Sequence, residues 1–319
     1  MATVAGQGTT FNLPNYHGEL FTVTPTETPL LSAIGGLGGA KQTTALEFEW
    51  QTIDRRASSA NNVALEGAAA PAASERARGN VTNVVEILQS AIEISYSHLA
   101  ARGQFSGANI APEWDDLVID ELAVQTMAEL ESMAVDIEQS FLSGVYNKPV
   151  DNTTARKTRG VLSAITSNVN ANGGVARAIT KAIVDATLQT AFDNGAKLPQ
   201  ASTVFVCGSA QKVALSNAYA IPALNQVTRD RTIGGVAVDT LVTDFGTFGV
   251  MLDRWMPAGQ IAILDLSVMY PVFLNIPGKG LLFTEELART GSSRKFQLYG
   301  EVGLEYGPET FHALIKDLS

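Results

Sequence analysis

The sequence predicts an α+β fold, on three observations. Residues 46–51 alternate, with Leu46, Phe48 and Trp50 on one side and Glu47, Glu49 and Gln51 on the other, the period-two signature of a half-buried strand. Residues 113–143 run without a single Gly or Pro, and Leu130, Met133, Ile137 and Phe141 recur at spacings of three and four, which marks one buried helical stripe. From residue 178 onward, short helical and short apolar segments follow one another and close on a long alternating stretch around Phe296, Leu298, Val302, Leu304 and Tyr306.

Taken in order, residues 1–45 are poor in charge and rich in Gly, Thr and Pro. They read as an extended arm with one short helical segment around Pro29–Ile34. The cluster Gly35-Gly36-Leu37-Gly38-Gly39 precedes Lys41, but Ala40 intervenes and Gln42 follows, so it is a hinge and not a phosphate loop. The strand at 46–51 and a second alternating stretch at Ile92, Ile94 and Tyr96 flank a tip, Ala57–Ser74, made mostly of Ala, Ser, Asn and Gly. Long loops in compact domains are generally functional, and this one predicts a projecting hairpin arm, an ordinary disordered surface loop being the alternative. The 113–143 segment, with Pro112 before its first turn, predicts a helix of about 45 Å. It carries Glu113, Asp115, Asp116, Asp120, Glu121, Glu129, Glu131, Asp136 and Glu138 and no Lys or Arg. A solvated face accounts for such a run; the sharper reading is that, because the run repels itself, it meets compensating basic groups on another subunit. Arg55, Arg56, Arg76 and Arg78 on the hairpin are the partners expected to meet Glu129, Glu131, Asp136 and Glu138 across that interface. Further on, the sequence predicts helices at 178–194 and 209–219, the latter with Ser209 as N-cap. Strands are predicted at 203–207, 236–242, 248–252 and 261–266, then the terminal strand and the apolar stretch 311–318.

Composition excludes several functions. The 319 residues are 45% hydrophobic and 17% charged, neither disordered nor membrane-spanning in character. The first residues lack the basic and apolar regions of a signal peptide, so synthesis and assembly in a cytoplasm are expected. A formal charge of −10 opposes tight binding to a phosphate backbone. One cysteine, Cys207, and three scattered histidines, His17, His98 and His312, supply neither a disulfide nor metal-ligand spacing. Cys207-Gly208-Ser209 is not a nucleophile elbow, and His312 lies on an apolar stretch. The basic cluster Arg156, Lys157 and Arg159 has no interleaved aromatics for nucleic-acid stacking. No catalytic residue, metal site or cofactor is expected.

Several stretches together resemble a known family. Thr24-Pro25-Thr26-Glu27-Thr28-Pro29-Leu30-Leu31-Ser32, Glu49-Trp50-Gln51-Thr52, Asn61-Asn62-Val63-Ala64-Leu65-Glu66-Gly67, Arg156-Lys157-Thr158-Arg159-Gly160-Val161-Leu162, Arg254-Trp255-Met256-Pro257 and Leu287-Ala288-Arg289-Thr290-Gly291 are similar, in that order, to the major capsid proteins of tailed bacteriophages of the Hong Kong 97-type fold, SU-ten-like branch. The resemblance spans nearly the whole chain. It implies an N-terminal arm at 1–45, an extended loop at 46–105, a peripheral domain with the spine helix at 106–155, an axial domain at 156–275 and closing peripheral strands at 276–319. It further implies a structural, non-enzymatic subunit of the virion that forms hexamers and pentamers with itself. These would enclose double-stranded DNA without gripping it, with portal, scaffold and cementing proteins as further partners and no membrane. Because the sequence opens directly in the arm, scaffold and maturation protease are expected as separate chains. Some relatives weld subunits through a hairpin lysine, yet no lysine occurs between Lys41 and Lys148. An encapsulin-like compartment shares the fold and is the alternative, although residues 1–28 do not read as a cargo-docking helix. A soluble α/β enzyme is the alternative from another class.

Overall fold

The computed structural model describes residues 24–36, 38–53, 58–59, 61–73, 75–97, 121–151, 153–198, 201–219, 231–233, 236–289 and 291–319. The elements in order are α1 (Pro29–Ala33), β1 (Lys41–Thr43), β2 (Glu47–Ile53), β3 (Arg78–Val84), β4 (Glu86–Ser95), α2 (Glu121–Ser143), α3 (Val161–Ala164), β5 (Val169–Asn170), α4 (Lys181–Asp193), β6 (Thr203–Cys207), α5 (Ser209–Tyr219), β7 (Arg231–Ile233), β8 (Val236–Thr243), β9 (Gly246–Leu252), β10 (Ile261–Asp265), β11 (Tyr270–Leu274), β12 (Leu282–Glu286), β13 (Ser293–Glu305) and β14 (Ala313–Ile315).

Three sheets result. A seven-stranded sheet runs β5-β14-β10-β6-β9-β8-β7, a five-stranded one runs β1-β11-β13-β12 with β4 also on β13, and β2-β3 form a separate ladder. The seven-stranded sheet divides two cores because side chains alternate along a strand. On β6, Val204 and Val206 face a core built with α1, α2, α3 and the five-stranded sheet. Phe205 and Cys207 face the other way, onto Val184 and Leu188 of α4 and Leu215 of α5. Ala262 and Leu264 of β10 join the first core, and Ile261 and Ile263 the second. A strand buried on both faces needs an uninterrupted apolar run, which is why Thr203–Cys207 is legible as a strand. The middle of α2 lies on the five-stranded sheet, where Met133 packs with Ile92, Ile94 and Leu298.

Helix α2 is described from Glu121, a rod of about 35 Å; the expected start at Pro112 lies outside the described residues. It stops where Gly144 meets Gly160. A Cβ on Gly144 would sit 2.4 Å from the Ser140 carbonyl oxygen and 2.6 Å from that of Thr158, and one on Gly160 would sit 2.5 Å from the Gly144 nitrogen. Only two glycines allow the returning chain to cross the helix end in backbone contact.

Two sequence expectations need correction. The alternating stretch at Ile92 and Ile94 is not the return strand of the hairpin. It belongs to β4, which pairs with β13 in the body (Ile92 opposite Phe296), while β3 is the strand that returns along β2. Both stretches carry the same period, and only pairing distinguishes them. Ser209 is the first helical residue of α5, and Gly208 occupies the cap, its carbonyl accepting the Lys212 amide at 2.9 Å. Residues 313–315 pair with β10 in the seven-stranded sheet, and residues 270–274 pair with β13 in the five-stranded one.

Candidate inter-subunit surfaces

The hairpin is anchored at its root and unpacked at its tip. At the root, Asn83 is fully buried; its amide nitrogen donates to the carbonyls of Leu304 (2.7 Å) and Arg159 (3.2 Å), and its oxygen accepts the Arg159 amide (2.8 Å). Trp50 donates its indole N–H to the Gly307 carbonyl at 3.0 Å and meets the Tyr306 ring edge-on, centroids 4.9 Å apart. The Phe48 ring lies so close to β13 that a Cβ on Gly303 would come within 2.6 Å of it. These contacts set the angle at which the hairpin leaves the body. At the tip, Val63 is 84% exposed and Leu65 87%, with Gly67 turning the chain at φ 78°. Neither Val63 nor Leu65 has a dry surface to cover within its own subunit. Asn83 went unnoticed in the sequence, where a lone Asn in an Asn/Thr/Val run carries no signal.

The expected charge partners separate into distinct situations. Arg55 and Arg56 lie outside the described residues. Arg78 opens β3 and donates to Gln51 Oε1 at 3.3 Å, and Arg76 sits just before it on an exposed segment. On α2, Glu131 is exposed. Glu129 accepts the Ser90 hydroxyl at 2.6 Å. Asp136 is held above the usual carboxylate range by partial burial and by the neighbouring Glu129 charge. Glu138 departs from the expected set: it is fully buried and its two oxygens accept the Leu30 and Leu31 amides, both at 2.7 Å. Its side chain is committed inside the subunit, so it has no surface to offer a neighbour. The sequence held a clue, because Glu138 follows Ile137 and lies one turn from Phe141, on the buried side.

Cys207 is buried, and burial pushes its thiol up to about 12, so no thiolate forms. His312 is fully buried with Nδ1 accepting the Asp265 amide (3.2 Å) and Nε2 2.7 Å from the Tyr306 carbonyl. That pairing selects the neutral tautomer with the proton on Nε2, and burial lowers its pKa further. Arg156 pairs with Glu301 at 2.9 Å, and Arg159 lies over the Tyr146 ring while donating to the Tyr306 hydroxyl at 3.2 Å. The basic cluster therefore braces the subunit. Among the described residues no group of His, Cys, Asp and Glu is placed to hold a metal ion, and no helix is long and apolar enough to cross a membrane.

The family model of the SU10 major capsid protein matches residues 3–319. The chain belongs to this family. It is a major capsid protein of the tailed-phage type, a structural and non-enzymatic component of a virion. Solved structures agree on the fold. The capsid of the native GTA particle is 17% identical over 100% of this chain and 99% of that one, with a TM-score of 0.64. The cyanophage A-1(L) capsid is 11% identical over 98% of each chain, with a TM-score of 0.65. The SrpI encapsulin of Synechococcus elongatus PCC 7942 is 10% identical over 97% of this chain and 92% of that one, with a TM-score of 0.59. Encapsulins thus share the architecture, while the family places this capsid protein with phage heads. No curated protein matches the sequence.

Proposed function

We propose that copies of this capsid protein form hexamers and pentamers that tile a closed shell around double-stranded DNA, assembled in the bacterial cytoplasm. Residues 1–45 act as the arm and 46–105 as the loop that overlaps a neighbour. Residues 106–155 and 276–319 form the peripheral domain, and 156–275 the axial domain at the capsomer centres. The observation that carries this reading is the β2–β3 hairpin, whose root is locked by Asn83, Trp50 and Phe48 while Val63 and Leu65 at its tip are left bare. A rigid projection with an apolar tip gains stability only by covering that tip on another molecule. The exposed Glu131 and Asp136, with the half-buried Glu129 beside them, offer a surface for the hairpin arginines of the adjacent copy. A net charge of −10 lets the shell enclose a polyanion without holding it, and portal, scaffold and cementing proteins complete the head.

Negative-stain microscopy of the purified full-length protein tests the reading. Rings of five and six copies, or closed shells containing nuclease-protected DNA when taken from infected cells, are expected. Shells filled with a protein cargo and free of DNA would favour a compartment, and a stable small oligomer would overturn both.

A further inference from the structure

Helix α1 has an unusual cap. Thr28 stands at its N-cap position but makes no side-chain cap bond, and Pro29 has no N–H. Ser32 donates to the Thr28 carbonyl, which leaves the Leu30 and Leu31 amides as the free donors of the first turn. Both are taken by Glu138 of α2, 2.7 Å from each. Against Glu138 lies a second buried carboxylate, Asp253, just after β9. Asp253 Oδ1 accepts the Trp255 amide at 2.8 Å, and Oδ2 is buried with no donor of its own. Two buried carboxylates in contact cannot both stay ionised, and the orphaned Oδ2 is where a shared proton completes the bonding.

We propose that Glu138 and Asp253 form a proton-operated latch that holds α1, and with it the entry of the N-terminal arm, against the body of the subunit. With one proton between them, the pair carries a single charge that the two α1 amides stabilise. Without it, two adjacent negative charges occupy an apolar site lined by Leu30, Leu31, Phe141 and Met251, and the least costly relief is to lift α1 and admit water.

The surrounding groups do not offset that second charge. On the arm side, Glu27 is paired with Arg254 at 3.1 Å, in an exposed position. From the end of β6, Cys207 contributes a backbone carbonyl that accepts the Asp253 amide and a thiol that stays neutral. Lys212 on α5 acts on that thiol. No cation is among the influences that set either carboxylate. Burial first, then the Asp253 charge, raises Glu138 from 4.5 to about 8, and burial raises Asp253 as well. The closed state therefore binds a proton that the open state releases between pH 4.5 and about 8. Its advantage falls as pH rises through that window and is constant above it.

Hydrogen exchange of the Leu30 and Leu31 amides in the full chain, corrected for intrinsic exchange, reads the latch directly. One linked proton predicts that opening rises towards ~10-fold per pH unit between pH 5 and 8 and levels off above it. D253N supplies a permanent donor to Glu138 and keeps the acceptor for Trp255, so its protection should fall less steeply with pH than the wild type's, burial of Glu138 alone remaining. E138Q should also have a shallower profile than the wild type, at lower protection, because its amide accepts through one oxygen only and Asp253 is left as the buried acid. Far-UV circular dichroism identifies a variant that fails to fold, in which case the other decides. A flat wild-type profile, or a folded variant that keeps the wild-type slope, would overturn the proposal.

Discussion

Replacing Asn83 with Ala removes the polar joint between the hairpin and the body. Asn83 makes three cross-element bonds: to the Leu304 carbonyl at 2.7 Å, the Arg159 carbonyl at 3.2 Å and the Arg159 amide at 2.8 Å. At about 1 kcal/mol net each, with a further penalty for buried groups left unpaired, the substitution should cost about 3–4 kcal/mol. That is a large part of the ~5–15 kcal/mol that holds a typical domain. Asn83→Asp should cost at least as much, because its carboxylate keeps the acceptor but sets negative charge against two carbonyls. Urea unfolding of the unassembled subunit, followed by far-UV circular dichroism and by tryptophan fluorescence, to which Trp50 beside Gly307 contributes, measures the loss. A midpoint shift equivalent to less than about 1 kcal/mol, at unchanged m-value, would refute the claim that these bonds fix the hairpin.

Three further outcomes follow from the same surfaces. Replacing residues 57–74 with a short Gly-Ser turn should leave a folded, soluble subunit that closes no stable shells; heat-stable particles would show that Val63 and Leu65 need no partner. Reversing Arg76 and Arg78 to Glu should weaken shells more at low salt than at high salt, since exposed pairs contribute only about 0–1 kcal/mol each and are screened; salt-independent assembly would remove them from the interface. With no lysine between Lys41 and Lys148 and guanidinium effectively never deprotonated, mature particles boiled in detergent should run as one band near 33.8 kDa; a covalent ladder under reducing conditions would contradict this.

What was legible in the sequence is what local periodicity and chain-breaking residues encode. Val204–Cys207 is apolar throughout because both faces of the strand are buried, so the strand could be read directly. The stripe through Met133, Ile137 and Phe141 marked the buried face of α2, and Gly144 its end. The bare tip was legible for the opposite reason, since small residues offer nothing to bury. The order of these segments, with motifs such as Arg254-Trp255-Met256-Pro257, was enough to indicate the family, and the family carries the function.

Pairing and long-range contact were decided only in three dimensions. β3 and β4 are adjacent strands separated by Val85, yet one follows the hairpin and the other crosses into the body, because β13 offers a ladder that matches the apolar face of Ile92 and Ile94. Three-residue strands such as β1 and β14 are too short to show a period and exist only because a neighbouring strand satisfies their backbone. Glu138 looked like one more acid on a charged helix face. Its role depends on two amides 107 and 108 residues away in the chain and on Asp253. No local pattern contains that information, because a hydrogen bond between distant segments leaves no period in either of them.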